Sequence, residues 1–496
     1  MATRFFRTRK HSIKKLQKLF DIIPSRQRKK SGREKNINAK NEHHYDDEDV
    51  PSANENIANT TAKTKSKKGR IAKSEYSNVE EIMIAHTELK PGDACPIAYC
   101  TGKLYKLKPS TIFKIDGASF ACPINYSIDR LRCTLCGEVQ KPTHDSPEGK
   151  YTDKFTSQLI LHKYFLALPM YRLDGYQKIL GVPLPNSTQW DIINDAYQSF
   201  IPIFNELERT AACATRFWYD ESRVRILSVI KECQLNIDKK RTGQYSTVVI
   251  ADSEQGPITL FYSGITHAGE NMVTIISERP KNLGSFITMC DALSANTLKT
   301  SDAIESNCLA HALVKFIDLE SISPYDLSRP INDLTRVFDI DEKTADMSDQ
   351  DRLLHHKRFS KPILDPLKIW MQEQLDKNKV ESSSHFGKIL KYCLKHWHKL
   401  TRFLTIEGCP ISNNKSERTL KIIIRLRKSS LFHKTEHGAR VAATMLSLIQ
   451  TAIDHNLNPV DYLTDLLENS DLIVKEPSKW MPWSIESTLN KTKKAA

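Results

Sequence analysis

The chain has 496 residues, with 73 Lys and Arg against 59 Asp and Glu, a formal net charge of +14 and a pI near 9.1. No apolar run approaches the ~20 residues that a membrane-spanning helix needs, so the cationic excess points to a polyanionic partner, nucleic acid before a membrane surface. A chain this long calls for two to four domains, because single cores stop growing near ~250 residues. Its eleven cysteines, spread along the whole length, exclude a small disulfide scaffold and suit a reducing cytoplasm.

Residues 1–90 are expected to be basic and largely disordered. "MATRFFRTRKHSIKKLQKLF" carries no acid before Asp21 and fits an arm lying on DNA, or a tail, better than an organelle presequence. From Gln27 to Tyr76 the chain is too polar to offset its ordering entropy. Residues 91–145 read as a zinc-binding domain. Cys95 and Cys100 enclose four residues and Cys133 and Cys136 enclose two, the close pairs that a structural tetrahedral zinc requires. Cys122 is an alternative ligand, and unrelated thiols are the competing reading.

Residues 150–212 read as helical, with helix-turn-helix grammar: a helix ending near Leu180, Gly181 at the turn, and Asn186 or Ser187 capping a second helix. That helix opens with Ser187, Thr188 and Gln189, which suits entry into a major groove, though a plain packed helical pair fits equally. From 213 to 316 the period becomes that of strands, in "RVRILSVI", "STVVIADS", "PITLFYS" and "MVTIISE". The fold class is therefore α/β, a small antiparallel sheet leading into a core. Residues 317–404 form a helical insertion, 405–470 return to the core, and 471–496 are a tail.

Two-metal phosphoryl transfer needs carboxylates gathered from distant segments. Asp220, beside Glu221, opens the first strand-like run, Asp291 follows "SFITMC" where a strand ends, and Glu417 stands near the start of a helix that Ser412, Asn413 or Asn414 can cap. Arg418, Lys421, Arg425, Arg427 and Lys428 line the same helix as candidate phosphate contacts. Among 59 acids many triples exist, and each of these acids taken singly reads more readily as a solvated or ion-paired residue.

"NNKSERTLKIIIRLRKSSLFHKTEHGARVAATMLSLIQTAIDHNLNPVDYLTDLL" resembles the carboxy-terminal signature of transposases of the insertion sequence 66 family. "KYFLALPMYRLDGYQKILGVPLPNST", "DESRVRIL" and "CLAHALVKF" resemble its upstream elements, and "CPIAYC" with "CTLC" its zinc-binding domain, so the likeness runs from about Cys95 to Leu467. It implies a ribonuclease H-like catalytic fold with Asp220, Asp291 and Glu417 as the triad and two Mg²⁺, besides a structural Zn²⁺ on Cys95, Cys100, Cys133 and Cys136. It further implies terminal-repeat and target DNA as partners, a homo-oligomeric synaptic complex, helper proteins encoded nearby, and a bacterial cytoplasm in contact with the nucleoid. Three positions depart from the pattern: Ala292 for Gly, Leu309 for Trp and Ser412 for Asp. His311 is assigned to the core before any chemical role. The alternatives are a DNA-binding repressor derived from a transposase and a nuclease of the same fold.

Overall fold

The computed structural model describes residues 90–94, 96, 100–104, 120–128, 130–132, 139–140, 149–235, 241–298, 300–320 and 325–495. The expected arm and linker before residue 90, and three of the four expected zinc ligands, Cys95, Cys133 and Cys136, lie outside these residues. Cys100 and Cys122 are described, and both are exposed. The chain divides into two compact units, 28–119 and the remainder. In the first, Gly92 and Leu104 close a small loop (N–H to carbonyl, 2.8 Å) around the Ala94 to Lys103 bridge.

The second unit begins with a two-stranded ribbon, β1 (Leu131–Arg132) against β2 (Val139–Gln140). Its main feature is one mixed sheet of β3 (Arg216–Arg223), β4 (Tyr245–Ser253), β5 (Gly256–Gly264), β6 (Phe286–Cys290) and β7 (Ala303–Asn307). The spatial order is β5-β4-β3-β6-β7; the first three strands are antiparallel, and β3, β6 and β7 are parallel. Two expected strands are helices. "RVRILSVI" leaves β3 at Arg223 and becomes α4 (Leu227–Leu235), and "MVTIISE" lies in α5 (Ala268–Ser277). Short apolar runs do not distinguish strand from helix by period, and here capping decides: the Glu270 carboxylate accepts from His267 N at 2.8 Å, and Glu221 accepts from Ala268 N at 2.8 Å. Strand β7 was not expected, because "AIESN" is short and half polar.

Before the sheet run α1 (Asp153–Ile160), continued as a π turn over Leu161–Phe165, then α2 (Met170–Ile179) and α3 (Asn186–Ala212). The turn at Gly181 has φ +75°, as its glycine suggests. Helix α3 is a core element: Ile193, Phe200, Ile203 and Leu207 are fully buried with the sheet residues. Gln189, expected to face a groove, is buried and donates to the carbonyls of Met170 (3.0 Å) and Leu184 (2.8 Å). At the start of the same helix Ser187 is exposed and Thr188 half-buried.

After β7 come α6 (Leu309–Glu320), α7 (Ser328–Glu342), α8 (Asp349–Phe359), α9 (Lys361–Asp376) and α10 (His385–Leu400). They build a second core whose members run from Leu309 to Ile411, joined by Ile287 of β6. Then α11 (Asn414–Ser430) lies on β3 and β4, and α12 (Glu436–Asp454) lies along β5. The small residues of α12 have a use. As an edge strand, β5 leaves backbone groups unpaired, and Ser447 Oγ accepts from Phe261 N (2.8 Å) while Thr451 Oγ1 accepts from Thr259 N (3.1 Å). Helix α13 (Pro459–Glu468) follows, and the segment expected as a tail buries Ile473, Trp480, Met481 and Ile485 in the sheet core. No helix among the described residues is long and apolar enough to cross a membrane.

Candidate active site

Asp220 lies within β3, opposite Val248 of β4, and not at the strand's opening. Asp291 is the first residue after β6, and Glu417 is in the first turn of α11. Three segments far apart in sequence thus converge where the central strands meet α11. Between two of the acids sits His311 of α6, its Nδ1 3.0 Å from Asp291 Oδ1 and 3.7 Å from Glu417 Oε1. A histidine first assigned to the core therefore faces the acids, which its sequence spacing alone could not reveal.

The electrostatics are those of a site short of positive charge. Glu417 is 1% exposed, and neither of its carboxylate oxygens has a hydrogen-bond partner. Burial, and then the Asp291 charge, hold Asp220 well above the ordinary carboxylate range, although Glu221 N donates to its Oδ1 at 2.8 Å. Burial also raises Glu417; His311 and Lys421 oppose this and Asp291 adds to it. Burial works against charge on His311, yet the hydrogen-bonding and charge of Asp291 and Cys308 raise it to about 11. Charged carboxylates buried without partners are unfavourable unless a cation joins them, so this donor set fits a bound metal ion. Oxygens from Asp220, Asp291 and Glu417 suit a hard divalent ion. One atom each of Cys308, His311 and Glu417 also lie within 4.8 Å of one another, a softer donor set.

One residue ties the assembly together. Asn413, fully buried, donates from Nδ2 to the Tyr219 carbonyl (3.0 Å), one residue before Asp220. Its backbone N–H donates to Cys308 Sγ (3.2 Å), and its Oδ1 accepts from Ser416 Oγ (2.6 Å), one residue before Glu417. Asn413 is the N-cap residue of α11, but its side chain makes no cap bond to that helix's backbone. The amide instead locks α11 to β3, a role no local pattern announces.

Glu221 is drawn away from the acids by His267 (Nδ1 to Oε1, 3.0 Å) and the start of α5. On α11, Arg418, Arg425 and Lys428 are exposed and Lys421 is half-buried. Arg427 is engaged in fastening the helix, donating to Ser222 Oγ at 2.8 Å and to the Arg223 carbonyl.

With this geometry in view, the relatives are informative. The model of the family described as "Transposase IS66 family" matches residues 148–441. The chain belongs to the IS66 transposase family. Curated relatives from Sinorhizobium fredii (strain NBRC 101917 / NGR234) include the uncharacterized protein y4hP, 24% identical over 370 residues, which are 71% of this chain and 65% of that protein. The uncharacterized protein y4jD is 25% identical over 411 residues, 78% of this chain and 77% of the relative. The chain therefore spans just under two thirds of the first relative's length.

In this IS66-family chain the three departures have ordinary structural settings. Ala292 is not among the residues with positive φ, so its backbone does not need glycine there. Leu309 is 1% exposed, inside the insertion core, and its N–H donates to the Ile411 carbonyl at 3.1 Å. Ser412 is half-buried just before Asn413.

Proposed function

We propose that this transposase nicks the ends of its element and joins the freed 3′-hydroxyls to target DNA, with Asp220, Asp291 and Glu417 as metal-holding acids. The observation that carries the reading is the convergence of three carboxylates, two of them raised by burial, with neither oxygen of Glu417 hydrogen-bonded. The sheet order, with three antiparallel strands followed by two parallel ones, supports a ribonuclease H-like core. Divalent ions bound there would lower the pKa of an attacking water and stabilise the leaving oxygen.

The chain's own contribution is placement. Asn413 holds α11 against β3 so that Glu417 and Asp220 keep a fixed separation, and burial strengthens their pull on a cation. His311, its Nδ1 3.0 Å from Asp291 Oδ1, can donate to a phosphate oxygen or hold Asp291 in place. Exposed Arg418, Arg425 and Lys428, with Lys421, bring phosphates toward the acidic end of α11. Arg427, already bonded within the protein, contributes mainly by holding the helix. Cys95, Cys100, Cys133 and Cys136 would hold a structural zinc, and synapsis of two ends would call for a homo-oligomer, with helper proteins encoded nearby.

Strand cleavage and joining on duplexes carrying the element's ends, with Mg²⁺, test this directly. Glu417→Gln is expected to lose at least about 10³-fold in both products, the scale of removing one charge-stabilising group, while retaining DNA binding. Glu417-dependent cutting without joining would favour the nuclease. No product from wild type despite tight end binding would favour the repressor.

A further inference from the structure

The far end of α11 is built unlike the acidic end. The helix stops at Leu431, whose φ is +62° and ψ −40°, and Phe432 N donates back to the Ser430 carbonyl at 2.7 Å. This is a γ-turn of the rare positive-φ form, and a branched residue holds it where glycine would be easier. Such backbone persists only when its surroundings over-determine it. Here they do. Leu431 N donates to the Arg427 carbonyl (2.8 Å), His433 N to the Arg225 carbonyl (2.8 Å), and Leu227 N to the His433 carbonyl (2.9 Å). Lys163 Nζ on the π turn donates to Ser430 Oγ (3.1 Å).

This rigid turn holds two large apolar side chains in solvent: Leu431 is 62% exposed and Phe432 45%. Around them in the chain, Arg425, Lys428 and Lys434 are exposed cations. An apolar tip meant for another protein's core would gain nothing from flanking cations, whereas DNA offers phosphates to them and a base step to the tip. Apolar side chains between base steps unstack and kink a duplex.

We infer that Leu431 and Phe432 form a wedge that enters a base step of DNA lying along α11. The inference rests on the reading that this helix carries DNA phosphates to Glu417. Glu417 and Leu431 are fourteen positions apart on one helix, about 21 Å at ~1.5 Å per residue. That span matches about six base steps at ~3.4 Å each, so the wedge enters about six steps from the bond that is cut.

The test uses the full-length protein and duplexes of the element's terminal sequence carrying 2-aminopurine at successive steps three to nine from the cleaved bond. Binding is followed by anisotropy, unstacking by fluorescence, and oligomeric state by sedimentation. A severalfold fluorescence rise at one or two adjacent steps is expected with wild type. Phe432→Ala should abolish it and Phe432→Trp keep it. Leu431→Gly should diminish it without lowering the melting temperature, because glycine suits the turn. A bound duplex with no rise at any step overturns the wedge, as does a rise that survives Leu431→Gly with Phe432→Ala combined. Variants that change sedimentation and leave fluorescence alone overturn it in favour of a contact between protein chains. Cleavage without a Phe432-dependent signal sinks the wedge alone, and the signal without cleavage sinks the catalytic reading alone.

Discussion

In the helical insertion, Asp341 is held by Arg352 Nη2 at 2.6 Å and by His356 Nε2 at 3.2 Å, and His356 in turn meets Ser360 Oγ at 2.9 Å. Burial alone would raise Asp341, but His356 and Arg352 bring it below the ordinary value. Beside the sheet, the Glu417 side chain is less exposed to solvent and has no hydrogen-bond partner, and burial leaves it and Asp220 raised. The difference separates two uses of a buried acid. Asp341 is satisfied by its own chain and serves the fold, whereas Asp220 and Glu417 are held by the fold against their own electrostatics, the state expected of groups kept for a cation.

The comparison can be broken or sharpened by substitution. The largest effect is expected from Asn413→Ala, which unties α11 from β3. Cleavage should fall ~10–100-fold, as when a residue orienting a metal ligand is lost, with the Mg²⁺ needed for half-maximal rate rising and DNA binding unchanged. A rate loss with unaltered Mg²⁺ dependence would mean that Asn413 only supports the fold. Next, Asp341→Asn should cost about 2 kcal/mol by denaturant melting, below the usual ~3–5 kcal/mol for a broken buried pair because the site is partly solvated, with cleavage per folded molecule intact. Unchanged stability would break the comparison from the insertion side.

The smallest effect has the opposite sign. Asp220 has a folded-state pKa raised above its unfolded value, so the stability it contributes is full below the ordinary value of about 3.9 and is lost as pH rises through the folded value. His311, raised to about 11, likewise loses its contribution as pH rises through that value. Metal-free protein should therefore weaken with rising pH. Asp220→Asn should flatten that slope and stabilise the metal-free protein at pH 8 by on the order of 1 kcal/mol, and Mg²⁺ should stabilise wild type more than the variant. A destabilised Asp220→Asn protein would show that the carboxylate is satisfied after all.

Much of this molecule was legible locally. "STVVIADS" and "PITLFYS" are β4 and β5, "SFITMC" leads into Asp291 as β6, and "NNKSERTL" opens a helix with Glu417 in its first turn. Where local signals were ambiguous the reading failed: "RVRILSVI" and "MVTIISE" are apolar enough for either state, and the capping by Glu221 and Glu270 that makes α5 a helix comes partly from another strand. Strand β7 is polar enough to pass for a turn, yet pairing along β6 makes it a strand.

By itself the sequence determined the charge that favours nucleic acid, the runs that become the sheet's middle, and the residue types able to hold a metal. Only the tertiary structure decided which acids among the described residues lack a hydrogen-bond partner, that His311 stands between Asp291 and Glu417, and that Asn413 joins α11 to β3. The reason is physical. Strand and helix preferences are set by neighbours a few positions away, whereas the state of a buried carboxylate depends on groups brought beside it across the fold, as Asp291, His311 and Glu417 are brought together here.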